Sequence, residues 1–283
     1  MPDRPSDPID IALTEDVGDG DITTLLVVSE RATAQARIVP REKAVIAGTM
    51  PAAEAFRRID PKLKVSVMLN DGSSVLGGET ILEVRGSTRS ILTGERVALN
   101  FLQRLSGIAT LTRAFVEAVG KNPAKIMDTR KTAPGLRALE KAAVVAGGGM
   151  NHRFGLFDMI LVKDNHLAAL PDFGHLSRAI LAAKQRNPAM QVEVEAENLE
   201  QVRSLLQIEG IDVILLDNME TAEMREAISL GRNHNVKFEA SGGVNLRTVR
   251  RIAATGVDFI SVGALTHSAP AINLSLELTP MTT

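Results

Sequence analysis

From about residue 125 onward, apolar and polar positions follow two alternating rhythms. Short β-branched runs are separated by longer segments whose apolar residues recur at helical spacing, the pattern of a parallel sheet or barrel. The runs predict strands at Lys125–Met127, Met159–Val162, Gln191–Val194, Val213–Leu216, Val236–Glu239 and Phe259–Val262. The segments between them predict helices at Leu136–Ala146, His175–Gln185, Leu199–Leu206, Ala222–Leu230 and Leu246–Ala254. Gly or Asn in AGGG (146–149), RN (186–187), EG (209–210) and TG (255–256) predicts a left-handed residue closing the last turn of several of these helices. Six such units are fewer than the eight of a closed barrel, so an open or incomplete α/β barrel is expected.

Residues 1 to about 110 do not share this rhythm. Short strand candidates at Ala36–Pro40, Val65–Leu69 and Thr80–Val84 are joined by turn signals, NDGSS (70–74) and LGGET (76–80). A separate α+β domain is expected here. A helical stretch follows, Leu92–Gly120, whose apolar positions Val97, Leu99, Phe101, Leu102 and Leu105 run beside Glu95, Arg96 and Arg104.

Composition narrows the function. At 283 residues and 45% apolar content the chain can bury one large core or two smaller ones. Its formal charge of −2 gives no global attraction to nucleic acid or anionic membrane, so any preference for anions must be local. No apolar run reaches the roughly 18 residues a membrane span needs, and MPDRPSDPID is acidic and proline-rich rather than leader-like; a cytoplasmic location is expected. The absence of cysteine removes disulfide and thiolate chemistry, and five histidines with no close pair argue against a zinc site. Without Trp or Tyr, base-stacking recognition is also disfavoured.

In a parallel barrel, functional groups sit just after the strands, where the carboxyl ends open on a shared cavity. The predicted strands end in Asp128-Thr129-Arg130-Lys131, Lys163-Asp164-Asn165, Glu195, Asp217-Asn218, Ser241-Gly242-Gly243 and Gly263-Ala264. Arg130, Lys131, Arg153 and Lys163, with His152 beside them, suit carboxylate and phosphate ligands. Glu195 and Asp217 suit ribose hydroxyls, Mg²⁺ or a cationic transition state. The SGG and VGA turns expose backbone N–H groups where glycine lets a phosphate come close. Each element has an ordinary reading by itself: Lys163 and Asp164 as a helix start, Asp217 as a cap for the helix near Ala222, His152 as a structural histidine. Six polar strand ends on one rim favour a site.

The segment DTRKTAPGLRALEKAAVVAGGGMNHRFGLFDMILVKDNH (128–166) closely resembles the central signature of the quinolinate phosphoribosyltransferase family, the decarboxylating nicotinate-nucleotide pyrophosphorylases. LTEDVGDGDITT (13–24), GERVALNFLQRLSGIAT (94–110), VEVEAENLEQ (192–201), ILLDNM (214–219), EASGGVN (239–245) and VDFISVGALTHSAP (257–270) resemble family segments in family order. The resemblance implies an N-terminal α/β sandwich domain (1–110, completed by about 270–283) and an α/β barrel (111–269). It implies a homodimer in which Arg96 reaches the partner's barrel. By the same resemblance, Arg96, Thr129, Arg130, Lys131, His152, Arg153 and Lys163 would bind quinolinate. Glu195 and Asp217 would serve the ribose and Mg²⁺ of phosphoribosyl pyrophosphate, with Lys163, Glu195 and Asp217 as the catalytic set and Glu193 as the alternative to Glu195. Ser241, Gly242, Gly243, Gly263 and Ala264 would hold its 5′-phosphate. The expected reaction yields nicotinate mononucleotide, CO₂ and pyrophosphate in de novo NAD biosynthesis. Ala142 departs from the aromatic often found there in relatives. Competing readings are a molybdenum-transport-associated paralogue, a Schiff-base aldolase using Lys163 or Lys131, and a non-catalytic anion sensor.

Overall fold

The structure, a computed structural model, describes residues 7–281. Its strands are β1 (Thr33–Pro40), β2 (Ala44–Val45), β3 (Lys64–Val67), β4 (Ser74–Val75), β5 (Leu82–Ser87), β6 (Lys125–Met127), β7 (Ile160–Val162), β8 (Val192–Ala196), β9 (Val213–Asp217), β10 (Lys237–Ser241), β11 (Phe259–Ser261) and β12 (Leu274–Pro280). The chain forms two compact units. The first takes residues up to Arg113, Thr132–Gly148 and Ser268 onward; the second takes Ala114–Lys131 and Gly149–His267.

The first unit is built on a four-stranded antiparallel sheet in the order β12-β1-β5-β3. Ala34, Ala36 and Ile38 alternate along β1 and are fully buried, as are Leu82 and Val84 of β5, so one face of the sheet is core. The helix Thr49–Ile59 buries Ala52, Ala55 and Phe56. Phe56 needs the glycine at 94 on the long helix Thr88–Val119, where a Cβ would stand 2.9 Å from its ring. The helix Arg137–Ala146, expected as the first barrel helix, belongs to this unit instead. Fully buried Glu140 explains why: it accepts from Arg104 Nε at 2.8 Å and from the Ala133 N–H at 3.2 Å. A single carboxylate thus ties this helix to the long one.

The second unit is a six-stranded, wholly parallel sheet in the order β6-β11-β10-β9-β8-β7. Its outermost strands β6 and β7 are not laddered to each other, yet residues following both line one cavity. The sheet therefore curls into an open barrel. Strands β8 to β10 are buried almost throughout, as expected when both faces are covered.

Local chemistry moved several boundaries. Strand β8 runs to Ala196, which puts Glu195 inside the strand rather than just after it. Asn187 is extended, with φ −145°, and not left-handed: Pro188 follows it, and the residue before proline is driven out of the helical regions. Gly148, Gly210 and Gly256 do have positive φ. The last barrel helix starts at Val249, not Leu246, because the Asn245 side chain accepts the Arg247 N–H and Thr248 Oγ1 accepts the Asn245 N–H, forming a local turn. Directly after Lys163 comes a short helix, Asp164–Ala169, which the sequence pattern did not separate from its surroundings. No helix among the described residues is long and apolar enough to cross a membrane.

Candidate active site

A cavity of about 690 Å³ opens at the carboxyl ends of the six barrel strands. Its wall follows from the two-residue repeat of a strand, in which i and i+2 share a face. Leu161 and Lys163, Glu193 and Glu195, Leu215 and Asp217, Glu239 and Ser241, and Ser261 and Gly263 each share the inner face, and one or both members of every pair line the cavity. Between them, Val192, Val194 and Ala196 point the other way and are buried. The barrel thus converts apolar-polar alternation into a polar interior.

One side of the cavity is cationic. Thr129, Arg130 and Lys131 follow β6, and Thr129 Oγ1 accepts the Lys131 N–H at 3.1 Å. Thr266 Oγ1 fixes the same turn by donating to the Lys131 carbonyl at 2.8 Å. Arg153 stands close enough to Arg130 for their charges to repel, and its guanidinium pKa is lowered first by burial and then by Arg130. Its Nε is buried without a hydrogen-bond partner. Glu193 and Asp158 pull the Arg153 pKa the other way, and one of its Nη atoms donates to the Met159 carbonyl at 3.5 Å. Lys163 is half-exposed and donates to Glu195 Oε2 at 2.9 Å.

His152 has a different posture from the expected carboxylate clamp. Its backbone N–H donates to buried Asp128 at 2.8 Å, and its Nδ1 accepts the Arg153 N–H at 2.7 Å. The ring proton therefore lies on Nε2, which faces Glu193 Oε2 at 3.0 Å and Glu239 Oε2 at 3.8 Å. The imidazole closes the cavity floor and turns inward. Burial pushes the Glu193 carboxyl up to about 7. The Glu239 carboxyl is pushed up to about 8 by burial and then by Glu193.

The opposite wall carries Asp217, whose Oδ2 accepts from Asn218 Nδ2 at 2.7 Å, and the turn after β10. Asp217 does not cap the next helix; Glu220 occupies that position. Asn218 has φ 54° and is the one non-glycine with positive φ among the described residues. Gly242, at φ 90°, leaves no room for a side chain: a Cβ would lie 2.1 Å from Asn218 Oδ1. Gly243, at φ 61°, faces open space. Ser241, Gly242, Gly243, Gly263 and Ala264 all line the cavity, leaving a backbone-lined recess beside the two carboxylates Glu195 and Asp217. Arg96 is not among the lining residues; it is exposed on the long helix of the first unit.

Comparison with known proteins identifies the chain's relatives. The profile for the quinolinate phosphoribosyl transferase C-terminal domain matches residues 108–277, and that for the N-terminal domain matches residues 21–106. The chain belongs to the quinolinate phosphoribosyltransferase family. It is 43% identical over 270 residues to a probable carboxylating nicotinate-nucleotide pyrophosphorylase of Synechocystis, covering 94% of this chain and 90% of that one. The same identity holds over 266 residues with a probable enzyme of that name from Bacillus subtilis, with 94% and 90% coverage. The solved nicotinate-nucleotide pyrophosphorylase of Francisella tularensis superposes with a TM-score of 0.88 at 38% identity, covering 96% of this chain and 94% of that one.

For a member of this family the site contains more than the strand ends suggested. Glu239 is absent from the strand-end reading, and that reading names Asp128 and Asn218 without giving either a role. Glu239 was legible as the inward partner of Ser241, two residues earlier on one strand. Asp128 was read only as part of a cationic turn, although it anchors His152 from below. The role of Asn218 depends on its backbone conformation, which sequence pattern does not carry. Glu195 and Asp217 both line the cavity and offer hard oxygen donors of the kind that Mg²⁺ takes.

Proposed function

We propose that this chain transfers the phosphoribosyl group of phosphoribosyl pyrophosphate to quinolinate with loss of CO₂, giving nicotinate mononucleotide and pyrophosphate. The observation that carries the reading is that Arg130, Lys131, Arg153 and Lys163, the carboxylates Glu195 and Asp217 and a glycine-lined recess all line one cavity. Arg130, Lys131, Arg153 and Lys163 hold the quinolinate dianion, and His152 forms the floor on which it rests. Arg96 joins them from the partner subunit of a homodimer. Glu195 and Asp217 face the ribose, where their charge stabilises the cationic character that develops at the anomeric carbon as the pyridine nitrogen attacks. The backbone of Ser241, Gly242, Gly243, Gly263 and Ala264 receives the 5′-phosphate. Mg²⁺, held through Glu195 and Asp217, would supply charge neutralisation for the departing pyrophosphate.

Lys163 has two claims on it, Glu195 and a substrate carboxylate. Binding of the dianion draws the ammonium off Glu195 and turns that carboxylate toward the ribose. This posture, a lysine engaged by a carboxylate at 2.9 Å, also favours binding over the Schiff-base chemistry of an aldolase. The test is release of CO₂ from carboxyl-labelled quinolinate with and without phosphoribosyl pyrophosphate and Mg²⁺. Release should require both, and nicotinate should be a poor replacement because it leaves part of the cationic wall unpaired. Equal turnover of nicotinate would overturn the assignment.

A further inference from the structure

We propose that Glu239 is a catalytic residue, the acid that protonates the ring carbon left by CO₂. The inference rests on the reading of the site as a quinolinate phosphoribosyltransferase. Four observations support it.

Glu239 lies on β10 one inward position below Ser241, so its carboxyl enters the cavity beneath the phosphate-binding turn. It is almost completely buried, and its Oε1 has no hydrogen-bond partner. The groups around it come from three directions: Glu193 from β8, His152 from the loop before β7, and Ser261 from β11. His152 and Ser261 draw the Glu239 pKa down, but by less than burial and the neighbouring Glu193 carboxyl raise it. Finally, an ionised carboxylate on this floor would repel the very dianion that the cationic wall attracts. A protonated one does not, and burial with Glu193 close by keeps the proton in place to about pH 8.

The other proton carriers on the wall are poorly suited. Arg130 and Arg153 are guanidiniums, too weakly acidic to serve, and Lys131 and Lys163 are exposed ammoniums whose charge the carboxylates need. In the step itself, the bond between C2 and its carboxylate breaks, the electron pair stays on C2 beside the quaternised nitrogen, and CO₂ departs. The Glu239 O–H bond then breaks, its proton forms the new C2–H bond and its electron pair remains on the carboxylate. Water reprotonates Glu239 after the product leaves. Without the acid, the carbanion recaptures CO₂ before it escapes.

The experiment is a single turnover with excess enzyme, quinolinate labelled in its 2-carboxylate, phosphoribosyl pyrophosphate and Mg²⁺, following pyrophosphate and labelled CO₂ together. Wild-type enzyme should release both in step; absence of any labelled CO₂ there would reject the function itself, not the role of Glu239. Glu239→Gln keeps shape and one hydrogen-bond donor. It should still release pyrophosphate, while CO₂ release falls about 100-fold or more and a ribonucleotide with both carboxylates accumulates. Glu193→Gln, which spares the acid, should keep the two releases in step. If Glu239→Gln releases both products together, normally or slowly, Glu239 is only structural and the proposal fails. Should that variant not fold, wild-type enzyme gives the same test by pH: CO₂ should lag pyrophosphate above about pH 8 and not at pH 6. A lag that is absent or unchanged across that range overturns the proposal.

Discussion

At the residue scale, the floor of the cavity is set by one imidazole whose two nitrogens are both committed to the protein. Asp128 fixes its backbone, the Arg153 N–H fixes its tautomer, and Glu193 receives its proton side. The buried carboxyls behind it leave a signature in stability. The Glu239 carboxyl is pushed up to about 8 from the ordinary glutamate value of 4.5, so between those values the native state binds more protons than the unfolded chain. The unfolding free energy must then fall as pH rises: this contribution is full below the unfolded pKa and is lost through the folded one. Glu239→Gln should flatten the decline between pH 6 and 8 by about 1 kcal/mol per pH unit. Urea melts at a series of pH values read this directly; identical slopes for variant and wild type would mean Glu239 is ionised in the native state.

At the element scale, the turns after β9 and β10 depend on each other. Gly242→Ala forces a Cβ toward Asn218 Oδ1 in a backbone conformation that L residues avoid. A stability loss of about 1–3 kcal/mol is expected, with weakened binding of phosphoribosyl pyrophosphate. Gly243→Ala meets open space, so its backbone strain comes without a collision and its stability loss should be smaller. Equal denaturation midpoints for the two variants would contradict this. The same elements show what was readable in advance. The barrel strands were found because β-branched runs repeat with helical segments between them, and the rim residues Lys163, Asp217 and Ser241 followed from strand position alone. Glu195 was placed one step too far out because the strand's end could not be seen in a run of alternating Val and Glu. The helix Arg137–Ala146 was given to the barrel by sequence order, whereas its unit is decided by the long-range pairing of Glu140 with Arg104, 36 residues apart. Arg96 could be singled out only through family resemblance, since an exposed helical arginine beside a glutamate has no local mark of function.

At the scale of the whole molecule, Arg96 carries the proposal of a shared site. Arg96→Ala and Lys163→Ala dimers should each be nearly inactive. Mixing and re-assorting them at equal amounts makes about half the dimers hybrid, each with one site intact, so roughly a quarter of wild-type activity should return. Activity that stays at the level of the separate variants, with exchange verified by mass, would assign Arg96 to its own barrel or to none. The first unit has a further peculiarity. Strand β12 is at one edge of its sheet, and β1, from early in the chain, is its only neighbour there among the described residues, with Ala34 opposite Pro280. Deleting Leu274–Pro280 should expose β1, lower the denaturation midpoint and promote aggregation through the bared edge; an unchanged midpoint would mark β12 as dispensable. Synthesis adds a matter of timing. The ribosome makes β1 early and must then produce the whole barrel segment before β12 exists. A nascent chain therefore carries an unfinished sheet for most of its translation, and stalling it just before Leu274 should leave β1 open to chaperones and proteases until the final strand emerges.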